Sequence, residues 1–315
     1  MEQPEVVELA RQRPWSGQDW AVDLLAAFPE VLARTVDRWG LVIERAHTDG
    51  VGLPVLEVRR GDEPAVVKFD DAGTDLPQQV RVMSAAQGRG YARVLDHADD
   101  LGAALLERLG LSLAQATPDG VEQVDVLVGL LEQAWELPLA VGSQDRPGEK
   151  AEQLLAIVET EVAEGGWVHR HRASLDRAAG LARDLVAAPG TDVVVAHGDP
   201  HSLNALQRGT DEEFAFIDPD GFLCEREYDV GVVLRDLMRE IEMAVAAAGG
   251  AGVRGVARRW HETQVMRVSR RMGLNAERVS AWAFTERVCT GIWLHRLGFE
   301  DEAERWLTTA DLLVP

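Results

Sequence analysis

His197-Gly198-Asp199-Pro200-His201-Ser202-Leu203-Asn204 follows the apolar run TDVVVA (191–196), and Ile217-Asp218-Pro219-Asp220-Gly221 follows the run FAF (214–216). Each is a polar loop closing a short β-type run, where a strand end delivers an acidic side chain while the core stays dry. Asn204 lies five residues after Asp199, and Asp218 fourteen after Asn204. An Asp, an Asn and a second Asp at the next strand end suit phosphoryl transfer on magnesium. One carboxylate orients the attacking hydroxyl and accepts its proton, while the amide oxygen and the other carboxylate are hard ligands for Mg²⁺. Taken singly, Asp199-Pro200 and Asp218-Pro219-Asp220-Gly221 are good turns. Only the set points to chemistry.

Upstream of these loops the pattern divides in two. Residues 17–39 carry Trp20, Leu24, Leu25, Phe28, Leu32 and Val36 at helical spacing, so Trp20, Trp39 and, further on, Trp135 are expected on buried helix faces. Leu41 to Arg45, Leu53 to Arg60 and Ala65 to Phe69 read as an antiparallel meander with turns at 47–52 and 59–64. A helix at 75–87 and strands at 92–96 and 103–107 follow. From about residue 111 the periodicity is helical at 120–136, 149–164, 172–187 and 229–313, interrupted by the β run at 191–199 and a hairpin at 205–221. The expected fold class is α+β. A small antiparallel-β lobe with an inserted helix spans 1–108, and a larger, mainly helical lobe spans 109–315. Lysine occurs only at Lys68 and Lys150 in a chain rich in arginine. Lys68 ends an apolar strand, a place that suits an ammonium facing phosphate.

HGDPHSLNAL followed by FIDPDG resembles the signature of the aminoglycoside phosphotransferases, which share the protein-kinase-like bilobal fold. FPEVLARTVDRWGL (28–41), ALLERLG (104–110) and IDPDGFLCEREYDVG (217–231) resemble the streptomycin 6-kinase and hydroxyurea kinase branch. The resemblance implies ATP and Mg²⁺ as cofactors and transfer of the γ-phosphoryl group to a hydroxyl of a small cationic antibiotic, streptomycin at its 6-hydroxyl first. It implies that Asp199 is the catalytic base and that Asn204 and Asp218 bind the metal. It implies that Lys68 contacts the phosphates, that Gly50 and Gly52 allow a loop to cover the nucleotide, and that the backbone from about Leu106 to Leu109 reads adenine, with Glu107 and Leu109 as its named positions. His201 is placed near the phosphates or in local packing, and Asp229 at a helix start or behind the catalytic loop. The family's inserted helix offers a Glu to the lysine; no Glu occurs between 69 and 87 here. Asp75, then Gln79, are the candidates to orient Lys68. The missing Glu motivates an alternative, a nucleotide-binding module without transfer. A kinase of hydroxyurea or another small hydroxylated metabolite is the other.

Charge narrows the partners. Asp and Glu number 53 against 32 Lys and Arg, a net charge of −21. That excess disfavours nucleic acid and anionic membrane surfaces, which need clustered cations. The excess is spread evenly: 19 acids and 12 bases in 1–110, and 34 and 20 in 111–315. Locally it gathers at 199–229 and 300–304. Asp220, Glu225 and Glu227 are the candidates to meet a cationic acceptor. Two cysteines make no disulfide framework, and the acidic N-terminus is not a signal peptide. A cytoplasmic protein without an obligate protein partner is expected.

Overall fold

Alternation of apolar and polar residues builds the first unit's sheet. The computed structural model describes residues 1–48, 52–71, 75–143, 146, 148–209, 213–249 and 252–315. They form two compact units, Met1–Gly110 with Gln207–Asp220, and Leu111–Leu206 with Gly221–Pro315. The first unit opens with helices α1 (Gln3–Arg11) and α2 (Ala21–Trp39). Strands β1 (Leu41–His47), β2 (Val55–Arg60) and β3 (Glu63–Phe69), helix α3 (Leu76–Ala86), and strands β4 (Val94–Ala98) and β5 (Ala103–Glu107) follow. The sheet order is β1-β2-β3-β5-β4, with every adjacent pair antiparallel. Ala65, Val67 and Phe69 of β3 turn toward Phe28 and Leu32 of α2, with the Phe28 and Phe69 rings edge to face at 5.2 Å. The two-residue period then puts Lys68 on the opposite face of β3, in register with Ala104 of β5.

The second unit is helical because its long 3.6-period stretches bury their apolar stripes on one another. It comprises α4 (Leu113–Ala116), α5 (Gly120–Ala134), α6 (Glu149–Glu164) and α7 (Arg172–Ala187). Strand β6 (Val193–Val195) leads to the loop with Asp199. Along the hairpin β7 (Ala205–Gln207) and β8 (Phe214–Phe216) the chain passes into the first unit, where Phe216 exchanges backbone hydrogen bonds with Gly90 and Ala92. It re-enters the second unit in β9 (Leu223–Glu225), which pairs antiparallel with β6. Helices α8 (Arg226–Arg235), α9 (Met238–Ala247), α10 (Val253–Met272), α11 (Ala276–Arg296) and α12 (Glu300–Leu313) complete it. Trp282, Tyr228, Phe284 and Leu175 lie in its core.

Three features differ from the sequence expectation. The first unit takes in Gln207–Asp220 as well as the N-terminal segment, because backbone pairing to Gly90 and Ala92 draws that segment there. Trp20 is 48% exposed and lies against Trp15, ring centroids 5.1 Å apart and tilted by 33°, since α2 begins only at Ala21. Helix α1 and strand β9 are additional; β9 has three residues, too few to show a period. Among the described residues, no helix is long and apolar enough to cross a membrane.

Candidate active site

In the first unit Lys68 has two partners. Its Nζ donates to Gln79 Oε1 at 2.9 Å and lies 2.6 Å from Asp218 Oδ1. Gln79 therefore orients the lysine from α3. Asp75 does not, because its carboxylate caps α3 by accepting from the Gln78 N–H at 3.0 Å. Asp218 has a φ of 57°, in the left-handed region that costs a non-glycine residue energy. Asp220 is exposed two residues on. Gly50 lies outside the described residues. Gly52 has no room for a side chain: a Cβ there would collide with Asp71 Oδ2, which accepts the Leu53 N–H at 2.9 Å. Glu107 is committed locally. Its carboxylate accepts from Arg93 N–H at 2.8 Å and Arg208 Nη2 at 2.6 Å, and its N–H donates to the Arg93 carbonyl. Leu109 is half-buried in the segment that follows.

In the second unit Asp199 is held on both oxygens. Arg235 Nη2 donates to Oδ1 at 2.7 Å, and His201 Nε2 lies 3.2 Å from Oδ2. Burial opposes the charge on Asp199, but the Arg235 guanidinium and His201 outweigh it and hold the carboxyl well below the usual carboxylate range. Burial likewise disfavours charge on His201, and the hydrogen bond to Asp199 reverses this and raises its pKa. The Asn204 amide nitrogen donates to the Asp199 carbonyl at 3.1 Å, so Oδ1 is the side-chain atom left for a metal.

Asp229 pins the backbone of the same loop. Its carboxylate accepts the N–H groups of His197 at 2.9 Å and Gly198 at 3.0 Å, and Trp135 Nε1–H at 2.9 Å. Burial pushes its pKa up to about 6 against those three donors. Gly198 has a φ of 95°, which lets the loop reverse immediately before Asp199.

Two expected substrate contacts are corrected by the packing. Glu225 is 4% exposed, with both oxygens taken by Arg278 at 2.6 and 2.8 Å and a further bond from Trp282 Nε1. Glu227 is 9% exposed and accepts the Asn275 N–H. Both carboxylates are structural, because a buried charge has to be paired where it lies. Arg235, the partner of Asp199, is absent from the sequence-level candidates. It lies 36 residues from Asp199 in a run without a motif.

The sheet with its strand-end lysine, and the helical unit presenting Asp199 and Asn204 on a pinned loop, define a protein-kinase-like phosphotransferase with a hydroxyl acceptor. The chain belongs to the aminoglycoside/hydroxyurea antibiotic resistance kinase family, whose model matches residues 38–298. It is 28% identical to the streptomycin 6-kinase of Streptomyces glaucescens over 294 residues, 92% of this chain and 89% of that protein. The streptomycin 6-kinase of Streptomyces griseus is also 28% identical, over 90% of this chain and 89% of that one. Among solved structures, a thermostable variant of the aminoglycoside phosphotransferase APH(4)-Ia, in ternary complex with ADP and hygromycin B, superposes with a TM-score of 0.64 at 14% identity, covering 90% of this chain and 97% of that chain. A Plasmodium vivax ethanolamine kinase gives 0.60 at 10% identity, covering 98% and 95%. These similarities establish the fold.

Proposed function

We propose that this protein transfers the γ-phosphoryl group of ATP to the 6-hydroxyl of streptomycin, with Mg²⁺ as the metal. The observation that carries the reading is the double hold on Asp199, a carboxylate kept anionic and aimed by Arg235 and His201. Such a group orients an acceptor hydroxyl and takes its proton as the bond to phosphorus forms. Lys68 offers its ammonium to the α- and β-phosphates, with Gln79 fixing its position. Asp218 and the Asn204 amide oxygen are the hard-oxygen ligands for Mg²⁺. The donor set suits that ion, because a carboxylate and an amide oxygen are hard ligands. Magnesium is commonly held by one or two protein ligands together with nucleotide phosphates. Its charge would offset that developing on the phosphoryl oxygens. The similarity to two streptomycin 6-kinases, over 92% and 90% of this chain and 89% of each of theirs, supports the choice of acceptor.

Mass spectrometry of streptomycin incubated with the protein and ATP–Mg tests this directly. The expected result is a gain of one phosphate, abolished in Asp199→Ala. Turnover of hydroxyurea, choline, homoserine or a simple sugar, with none of streptomycin, would replace the acceptor. Nucleotide binding with no transfer to any of these would favour the module without catalysis.

A further inference from the structure

We propose that Glu286, on α11, is a positioning residue for Asp199, acting through Arg235 and Tyr228. The proposal rests on the reading of Asp199 as the group that aims the acceptor hydroxyl. The Arg235 guanidinium has a different carboxylate on each of its three nitrogens. Nη2 meets Asp199 at 2.7 Å, Nε meets Asp236 at 3.0 Å, and Nη1 lies 3.5 Å from Glu286 Oε2. A planar cation held at one nitrogen swivels, whereas one held at three is fixed in place and direction. The position of Asp199 Oδ1 is fixed with it. Glu286 is the buried post of the three: its side chain is 7% exposed, against 34% for Asp236 and 41% for Asp199.

A second route runs from the same carboxylate. The Tyr228 hydroxyl lies 2.7 Å from Glu286 Oε1 and 3.0 Å from the carbonyl oxygen of Gly198, the residue preceding Asp199. The single hydroxyl proton is shared between these two acceptors, so Glu286 bears on the loop backbone by competing with the Gly198 carbonyl for it, and on the Asp199 side chain through Arg235. Its charge is balanced within the core. Lys150 Nζ is 3.8 Å from Oε1, and the ammonium sits over the Phe222 and Tyr228 rings at 5.3 and 5.5 Å. Neighbouring Arg287 donates to the carbonyls of Leu234 and Arg235, at 3.1 and 2.7 Å, and so fixes the backbone from which the Arg235 side chain extends. One turn of α11 holds both ends of that side chain.

The test is a double-mutant cycle on Glu286→Gln and Asp199→Asn, assayed with streptomycin and ATP–Mg. The glutamine keeps the shape and the acceptor for Tyr228 but removes the charge facing Arg235. In the parent, Glu286→Gln is expected to lower kcat about tenfold or more, with the KM for ATP changed by less than about twofold. Glu286→Asp recovers part of the loss. In the Asp199→Asn background, Glu286→Gln costs nothing further, because the carboxylate to be aimed is gone. Equal losses in both backgrounds, or an unchanged kcat in the parent, would overturn the proposal. Tyr228→Phe takes the same cycle if the glutamine variant does not fold. If the parent does not phosphorylate streptomycin, the acceptor reading fails, and crystal structures of the parent and Glu286→Gln decide the positioning role alone. Loss of the Arg235–Asp199 hydrogen bond, or a second Asp199 conformer, upholds it; unchanged geometry sinks it.

Discussion

At the scale of single residues, two small groups of side chains carry the proposed chemistry. In one, Lys68 sits between Gln79 and Asp218; in the other, Asp199 sits between Arg235 and His201. Gln79 accepts from the lysine without adding charge, so Asp218 is the anion opposite the ammonium. Gln79→Leu would leave a buried ammonium short of one acceptor, a loss of about 1–3 kcal/mol of stability and a higher KM for ATP, read by thermal unfolding and by ADP release. Gln79→Glu supplies a charged partner in the same place and is expected to keep the fold and lower that KM. Asp199→Asn keeps the shape but removes the proposed base, so kcat is expected to fall about 100-fold or more while nucleotide affinity holds, measured by calorimetry beside steady-state kinetics. The acid–amide–acid spacing made Asp199, Asn204 and Asp218 candidates from the sequence alone. Arg235 was not legible, because one arginine among so many carries no pattern.

At the scale of elements, α8 governs the loop. Near its start Asp229 takes the N–H groups of His197 and Gly198, and Tyr228 reaches the Gly198 carbonyl; at its end Arg235 takes the Asp199 side chain. One helix therefore sets both the backbone and the carboxylate. Asp229→Ala would strip the acceptor from three donors at about 1–3 kcal/mol each, enough to threaten a typical domain, and urea unfolding checks it. Trp135→Phe removes one of those donors and should cost far less. The approach of α8 to α11 depends on Gly231, where a Cβ would lie 2.5 Å from Trp282 Cβ and 2.9 Å from the Ala283 nitrogen. Gly231→Ala is expected to cost roughly 1–3 kcal/mol and to displace α8, lowering kcat along with the unfolding midpoint. The periodicity of 120–136, 149–164 and 172–187 placed these helices within a residue or two, because a helix is written in local spacing. It placed β9 nowhere, because a three-residue strand is defined by its partner β6.

At the scale of the whole molecule, the charge of −21 reads differently once burial is known. Glu225, Glu227, Asp229 and Glu286 are interior acids, paired or hydrogen-bonded where they lie, whereas Asp220, Glu300, Asp301 and Glu302 remain at the surface. If surface acids draw in a cationic acceptor, added salt should raise its KM more than that of ATP–Mg, as steady-state kinetics across ionic strength would show. Acid sensitivity has an identifiable interior source. His261 is buried, and burial together with Arg287 and Arg177 pushes its pKa down to about 3. A depressed folded-state pKa contributes stability that is complete above about 6.5 and is lost as pH falls toward 3, since only the unfolded chain takes up the proton. Asp229, raised to about 6, acts in the opposite sense over the same range, so the loss is read as the difference between the parent and His261→Leu in denaturant unfolding from pH 7 to 4, the parent losing more stability. By itself the sequence determined the order of the elements, the α+β class and the acid–amide–acid set, since helix period, strand alternation and loop spacing are properties of neighbours along the chain. Only the tertiary structure decided which like residues differ in role: Gln79 rather than Asp75 on Lys68, Arg235 on Asp199, and Glu225 and Glu227 turned inward. Those choices rest on contacts between residues far apart in the chain, such as Lys68 with Asp218 150 positions away, and packing alone brings them together.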